Sequence, residues 1–121
     1  MPQLSDREWT VLTALWDAGG STLGELTEAL RPETGWSRNT VLTYLTRMEA
    51  KGLVAIDKTA SPHRYRAALD RADCQARERR SFLRRVYRGS AGDLVAAFLK
   101  EEPLSPQERE QLRRLLDEME V

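Results

Sequence analysis

The sequence has few of the residues that build disulfide- or metal-stabilised folds: its 121 residues include one cysteine, Cys74, and one histidine, His63. A lone cysteine excludes an internal disulfide, and one thiol with one imidazole cannot supply the ligand cluster of a structural zinc site. We therefore expect no metal and no other cofactor. Cys74 lies among polar residues, where an incidental thiol is the simpler interpretation and a redox role is the alternative.

Long apolar runs and catalytic motifs are also missing from the sequence. No stretch approaches the roughly 18 consecutive apolar residues that cross a bilayer, and the polar start MPQLSDRE lacks the apolar core of a signal peptide. We expect a cytoplasmic protein without a membrane partner. There is no glycine-rich phosphate loop and no cysteine–histidine pair, and the carboxylates fall mostly at helix caps or on polar helix faces. The sequence therefore predicts a protein that is not an enzyme.

The charges sum to zero but are unevenly distributed along the chain. Residues 1–30 carry one base and five acids, whereas residues 31–66 carry seven bases and three acids. The second segment is therefore where a nucleic acid could dock. Residues 71–88 hold seven arginines against two acids, which fits either a further basic surface or a solvated helix face.

Four helix starts are marked by a hydroxyl residue followed three positions later by a carboxylate. Such a pair forms a capping box, in which each side chain accepts a hydrogen bond from the other residue's backbone N–H. The pairs are Ser5 with Glu8, Thr22 with Glu25, Ser90 with Asp93, and Ser105 with Glu108. We expect a helix to begin directly after each hydroxyl residue.

The first half of the chain reads as three helices. The first spans about Asp6 to Asp17, and its three- and four-residue spacing predicts that Trp9, Leu12, Leu15 and Trp16 are buried. The second spans about Leu23 to Leu30 and is ended by residues 31–35, which contain proline and glycine. The third runs from its N-cap Ser37 to Lys51 and is closed by Gly52.

The third helix has two different faces when its residues are placed at 100° intervals. One face is apolar and consists of Val41, Tyr44, Leu45 and Met48. The opposite face is polar, short-chained and nearly free of carboxylates: Asn39, Thr43, Thr46, Arg47 and Ala50, with Thr40 at one edge and Leu42 at the other. This composition suits a helix that enters the major groove of DNA, although an ordinary solvated face is the alternative.

A β-hairpin is predicted directly after the third helix. Residues 53–56 and 63–67 read as strands, and the polar segment 57–62 reads as the turn between them. Three helices followed by a hairpin give a winged helix-turn-helix, a mainly α fold with a small β-hairpin that serves as the wing. Lys58, His63 and Arg64 near the wing tip could then reach phosphate or the minor groove, while His63 has the alternative of an ordinary exposed residue.

The remaining chain reads as a helical arm. Its apolar side chains recur at helical spacing, and three short helices cannot bury them without a partner. A second copy of the same arm would cover them, so we expect a homodimer. The predicted organisation is a winged-helix DNA-binding domain at 1–69 and a helical dimerisation region at 70–121. The expected dimerisation residues are Phe82, Val86, Leu94, Val95, Phe98, Leu112, Leu115 and Leu116.

Several short stretches together resemble the BlaI/MecI penicillinase-repressor family. They are residues 4–9 (LSDREW), Leu15-Trp16, residues 36–41 (WSRNTV), residues 46–48 (TRM) and residues 51–54 (KGLV). The resemblance continues through the arm, from Phe82 to Leu116. Each motif alone is weak, but their order and spacing are specific to the family.

The resemblance implies a homodimeric winged-helix repressor that holds an inverted repeat in its target promoters. Thr40, Thr43 and Arg47 match recognition-helix residues of the family, whereas Leu42 replaces a basic residue found in some members. The family is often inactivated by a regulatory protease at a bond that aligns with Ala97–Phe98. Well-known members have Asn where this chain has Ala97, and the sequence leaves open whether a sensor or protease is a partner. The cysteine-rich tail of the copper-responsive branch is missing here.

We therefore interpret the chain as a transcriptional repressor that binds palindromic double-stranded operator DNA as a homodimer. The expected DNA-binding residues are Arg38, Asn39, Thr40, Thr43, Thr46, Arg47, Lys58, His63 and Arg64. A winged helix can instead serve as a protein-docking module, in which case its third helix should tolerate substitution without loss of DNA retention.

Overall fold

A computed structural model describes residues 3–101 and 103–119 of the chain. In this range there are six helices: α1 Asp6–Ala18, α2 Leu23–Thr34, α3 Arg38–Ala50, α4 Arg71–Tyr87, α5 Ala91–Glu101 and α6 Pro106–Glu118. Three short strands complete the described part: β1 Ser21–Thr22, β2 Val54–Asp57 and β3 Arg64–Ala67. None of the described helices combines the length and the apolar character needed to span a membrane.

The chain forms two compact units, the first ending at Arg77 and the second beginning at Glu78. This division falls within α4, later in the chain than the boundary expected after residue 69. The first turns of α4 therefore belong to the first unit.

Helix α1 begins and ends as its sequence predicts. The Ser5 hydroxyl accepts a hydrogen bond from the Glu8 N–H, and the Glu8 carboxylate accepts one from the Ser5 N–H. Gly19 ends the helix in a left-handed conformation, with φ of 68°. The predicted core face was partly wrong: Leu12 and Leu15 are buried, but the two tryptophans are half-buried. Val11 takes an inner position instead, because the α1 face that meets the core is rotated towards it.

Helix α2 is longer than predicted, because it continues through Pro32 to Thr34. Proline removes the one N–H that would bond to the Glu28 carbonyl, but it leaves the N–H groups of the residues after it able to bond. The Thr34 hydroxyl donates to the Leu30 carbonyl at 2.8 Å, and the Gly35 N–H donates to the Arg31 carbonyl at 2.9 Å. These two bonds satisfy carbonyls of the last turn, and Gly35 then ends the helix with φ of 65°.

Helix α3 starts at the predicted cap, where the Ser37 hydroxyl accepts from the Thr40 N–H at 3.2 Å. Its end is a Schellman motif. Leu53 N–H bonds to the Met48 carbonyl and Gly52 N–H to the Glu49 carbonyl, both at 2.9 Å. Gly52 follows the C-cap with φ of 78°, a conformation that favours glycine. This turn directs the chain from the third helix straight into the wing.

The wing is a three-stranded antiparallel sheet in the order β1-β3-β2, not the two-stranded hairpin that was predicted. The hairpin strands are each slightly displaced from prediction, and His63 precedes β3 instead of beginning it. The additional strand β1 pairs Ser21 with Tyr65 and Thr22 with Arg64. Two residues are too few to show strand periodicity, and Thr22 is also the N-cap of α2.

The core of the first unit joins all three helices to the sheet. Most of its buried members come from α1, α2 and α3, and the others come from β2, β3 and the residue before β2. The buried members are Val11, Leu12, Leu15, Leu26, Leu30, Val41, Leu45, Met48, Leu53, Val54 and Tyr65. Because α3 contributes its whole apolar face, its polar face is left outside the core.

The second unit has the helices that the sequence predicts but no buried residue in α5 or α6. The capping box of α6 is complete, with Ser105 and Glu108 bonded in both directions. At α5 only half of the predicted box forms, because the Ser90 hydroxyl accepts from the Asp93 N–H while the Ser90 N–H bonds to the Tyr87 carbonyl. Aspartate is one methylene shorter than glutamate, so its carboxylate reaches back less far.

Candidate nucleic-acid interface

The polar face of α3 lies on the surface of the first unit. Four of the side chains predicted to bind DNA from the middle of this face are exposed: Asn39, Thr43, Thr46 and Arg47. Arg38 at the start of the helix is exposed as well, and Thr40 is half-buried. No exposed carboxylate lies on the described helix, since its one acid, Glu49, is half-buried. The surface is therefore positively charged and lined by short hydroxyl and amide groups.

The hydroxyl groups on this face are already oriented. The Thr43 hydroxyl donates to the Asn39 carbonyl at 2.9 Å, which leaves its oxygen lone pairs free to accept. The Thr40 and Ser37 hydroxyls lie 3.1 Å apart and form a hydrogen bond in which either is the donor. Such acceptors match the exocyclic amino groups that adenine and cytosine present in the major groove.

Three polar side chains on the face are uncommitted. Within the described residues, Asn39, Thr46 and Arg47 make no side-chain hydrogen bond, and Arg47 makes no ion pair. These groups can bind a base edge or a phosphate without first breaking a contact within the protein.

Two contacts of Tyr44 that the sequence does not predict hold helix α3 in place. Trp36 stacks on Tyr44, with ring centroids 4.7 Å apart and ring planes inclined by 21°. The Tyr44 hydroxyl accepts a hydrogen bond from the Arg7 guanidinium at 2.9 Å. Arg7 lies in α1, 37 positions before Tyr44, so no local sequence signal could have revealed the pair. These contacts fix the side of α3 that borders its polar face.

The wing carries the other predicted DNA-binding residues. Lys58 and His63 are exposed in the turn between β2 and β3. The Asp57 carboxylate orders this turn by accepting from the Thr59 hydroxyl and the Thr59 N–H. These two hydrogen bonds hold the pKa of Asp57 below its ordinary value. The turn that presents Lys58 and His63 is thus ordered by the ionised Asp57 side chain.

Arg64 on β3 already has partners within the described residues. Its guanidinium lies 3.6 Å from the Glu25 carboxylate and 3.5 Å from the Gly20 carbonyl oxygen. The hydrogen bond from the Thr22 N–H, supported by the Thr22 side chain and the Arg64 charge, holds the pKa of Glu25 below its ordinary value. An exposed ion pair of this kind contributes little to stability. A phosphate could therefore replace Glu25 as the partner of Arg64 at small cost.

The start of α3 and the wing together border a concave surface of about 440 Å³. From α3 it is lined by Arg38 and Leu42, and from the wing by Pro62, His63 and Tyr65. The structure thus brings two of the predicted DNA-binding residues, Arg38 and His63, to one concave surface.

In the second unit, most of the predicted dimerisation residues are exposed. Phe98 is 58% exposed and Leu116 is 63% exposed, and both belong to apolar faces of their helices. Val86, Val95 and Leu115 are also exposed, whereas Phe82, Leu94 and Leu112 are half-buried. A groove of about 520 Å³ between α5 and α6 is lined mainly by apolar side chains of these two helices. Large apolar side chains in this number are unusual on the surface of a monomer.

The Ala97–Phe98 bond lies inside α5. Ala97 is half-buried, and both residues have helical backbone. A protease binds its substrate in an extended conformation, so cleavage at this bond requires local unwinding of α5.

These features define the class of protein. Three helices, a β-sheet wing and a third helix with an exposed, carboxylate-free polar face make this a winged-helix transcriptional regulator of the DNA-binding class. The family model described as penicillinase repressor matches residues 4–118. The chain belongs to the penicillinase repressor family, which confirms the resemblance seen in the sequence.

Individual relatives cover nearly the whole chain. The penicillinase repressor of Bacillus licheniformis is 30% identical over 98% of this chain and 92% of its own. The methicillin resistance regulatory protein MecI of Mammaliicoccus sciuri is 28% identical over 95% of this chain and 94% of its own. These relatives are regulatory proteins, in agreement with the expectation that the chain is not an enzyme.

Among solved structures, BpsR of Bordetella bronchiseptica is similar to this chain. The DNA binding of BpsR is regulated by 6-hydroxynicotinic acid. The two chains are 22% identical with a TM-score of 0.49, and the similarity covers 97% of this chain and 75% of the BpsR chain.

Proposed function

We propose that the protein represses transcription as a homodimer, with each winged helix bound to one half of a palindromic operator. Helix α3 enters the major groove, where Asn39, Thr43 and Arg47 bind base edges and neighbouring phosphates. Lys58, His63 and Arg64 attach the wing to the DNA backbone. The observation that carries the proposal is the exposed face of α3, which has uncommitted donors and acceptors and no exposed carboxylate.

The homodimer rests on the exposed apolar side chains of the second unit. Phe98 and Leu116 gain from burial, since more than half of each side chain is exposed in the monomer. Burial of such a surface against a second copy is favourable by about 25 cal/mol per Å² of apolar area. A two-fold dimer would present its two α3 helices about 34 Å apart, or at a multiple of that distance, and would bind an inverted repeat.

A regulatory protease is the second protein partner in this proposal. Its cut between Ala97 and Phe98 would divide α5 and remove Phe98 and α6 from the dimerisation region. The shortened chain would then lose the dimer and its operator affinity together. Intact mass measurement of the protein recovered from its own cells would reveal a fragment that ends at Ala97.

The test is binding of the purified full-length chain to fragments of the DNA upstream of its own gene, over a series of salt concentrations. Footprinting then locates the bound site. We expect protection of a two-fold-symmetric site, with an affinity that falls steeply as salt rises because counterions are released from the phosphates.

The same experiment can contradict the proposal. Equal and weak retention of every fragment would favour the protein-docking module. Protection of one unpaired half-site by a monomer would contradict the homodimer while leaving the DNA-binding role of α3 intact.

A further inference from the structure

Leu42 is a large apolar residue on the otherwise polar face of the third helix. Its side chain is 39% exposed, and no other large apolar side chain in the described residues 3–77 is exposed to this extent. Core packing does not require it, because the neighbouring Val41 and Leu45 are fully buried and fill the inner side of α3. Leu42 is therefore available to a partner of the α3 surface.

The position of Leu42 on α3 places it among the proposed DNA contacts. Arg38 and Thr46 lie one helical turn before and after it, and Asn39 lies three positions before it. Leu42 also lines the concave surface between α3 and the wing, beside Pro62. An α3 helix seated in the major groove would carry the Leu42 side chain towards the bases or the sugars at the wing side of the groove.

The chemistry of Leu42 restricts what it can bind there. Leucine has no hydrogen-bonding group, so it cannot pair with the donors and acceptors of the base edges. The C5 methyl group of thymine is the apolar group that the major groove presents. A single exposed leucine within a polar surface is too small for a stable protein interface, which needs about 800 Å² from each partner. The occupant that fits is thus a thymine methyl.

We propose that Leu42 is a specificity-determining residue that contacts the C5 methyl group of a thymine in each half of the operator. This inference rests on the proposed function, because it requires α3 in the major groove. It implies that each half of the operator has a thymine next to Leu42. Leu42 would recognise this thymine by its methyl group and not by a hydrogen bond.

The test replaces each thymine of the footprinted site with uracil, one symmetric pair at a time. Uracil keeps every hydrogen bond of thymine and lacks only the methyl group. Burial of one methyl-sized group changes an equilibrium by about fourfold. Each symmetric replacement removes two methyl groups, so we expect a loss of affinity of about 16-fold for the wild-type protein at one thymine pair. Leu42→Ala should bind the thymine and uracil sites equally.

Ala50→Ser is the matched control, since Ala50 is an exposed residue of the same helix outside the proposed DNA contacts, and this variant should keep the thymine preference. Thermal melts of all three proteins check that they are equally folded. Equal binding of the thymine and uracil sites by the wild type would overturn the inference, as would a preference that survives in Leu42→Ala. If the upstream fragments contain no specifically bound site, the proposed function itself fails and this inference fails with it.

Discussion

The Lys51 ammonium lies 2.9 Å from the Glu8 carboxylate and joins the C-cap of α3 to the first turn of α1. Glu8 is 7% exposed, and its other oxygen accepts from the Ser5 N–H. One carboxylate thus caps α1 and anchors the end of the helix that carries the proposed DNA-binding face.

This pair predicts a specific dependence of stability on pH. Burial acts to raise the pKa of Glu8, but the hydrogen bonds from Ser5 and Lys51 and the Lys51 charge outweigh it, and the pKa lies below its ordinary value of 4.5. The carboxylate therefore stabilises the fold above pH 4.5, and that contribution is lost as the pH falls through the lowered pKa.

Glu8→Gln isolates this contribution, since glutamine keeps the shape and a carbonyl acceptor but has no charge. We expect the wild type to be more stable by about 1–2 kcal/mol at neutral pH. The difference in melting temperature should shrink as the pH falls below 4.5 and through the lowered pKa of Glu8. A difference that stays constant over this range would contradict the assignment.

Trp16 ties the start of α4 to α1. Its indole N–H donates to the Leu69 carbonyl at 3.0 Å. The Arg71 guanidinium lies 5.7 Å from the ring centre and also bonds to the Asp17 carboxylate at 2.7 Å.

Trp16→Phe removes the indole donor and should lower the free energy of unfolding by about 1 kcal/mol more than Trp9→Phe, measured by urea titration. Trp9 is the control because it is also half-buried and makes no indole hydrogen bond within the described residues. Equal losses of stability in the two variants would show that the indole hydrogen bond does not contribute to the free energy of unfolding.

Cys74 is predicted to react slowly in the native protein. It is 4% exposed, and burial raises the pKa of its thiol above its ordinary value, which the nearby Arg77 charge only partly offsets. Reaction with a disulfide reagent at pH 8 should be at least about tenfold slower than in urea, because both the thiolate fraction and the access are lower. A native rate equal to the unfolded rate would show that the thiol is exposed in solution.

Phe98→Asp should convert the proposed dimer into monomers with weak operator affinity. The substitution places a charge twice in a symmetric interface, once from each copy. Phe98 is a better probe than Leu94, which is half-buried within the unit and whose replacement would also disturb folding. Ala96→Asp is the control, because this exposed residue lies on the opposite side of α5. Sedimentation of Phe98→Asp as a dimer would refute the proposed interface.

Arg47→Ala should weaken operator binding by about 1–3 kcal/mol if the guanidinium binds a base edge, and the loss should be smaller on unrelated DNA. If Arg47 binds only phosphate, the loss should be similar on both DNAs and the salt dependence should become shallower. Arg114→Ala in α6 is a matched loss of an exposed arginine outside the first unit. Unchanged operator affinity would show that Arg47 does not contact the operator.

The elements of this fold were predictable because their signals are local. Ser5 and Glu8 are three residues apart, as are Ser105 and Glu108, so a capping box is visible in a short window of sequence. The two faces of α3 follow from 3.6 residues per turn, and the Gly52 turn follows from the freedom of glycine at positive φ.

The errors arose where a local rule competed with packing. Pro32 predicted the end of α2, but bonds from Thr34 and Gly35 complete the last turn without its N–H. The periodicity of α1 places Trp9 on the apolar face, but Trp9 is not among the residues that pack against the core, so periodicity alone could not decide how far it is buried.

The sequence by itself determined the order of the helices, their caps and the polar face of α3, because each depends on residues within one or two helical turns. The tertiary structure alone decided that Ser21 and Thr22 pair with β3, that Arg7 reaches Tyr44, and that Lys51 meets Glu8 from 43 positions away. These contacts form only after hydrophobic burial has brought the helices together, and burial is not directional, so the apolar pattern cannot specify which polar partners meet.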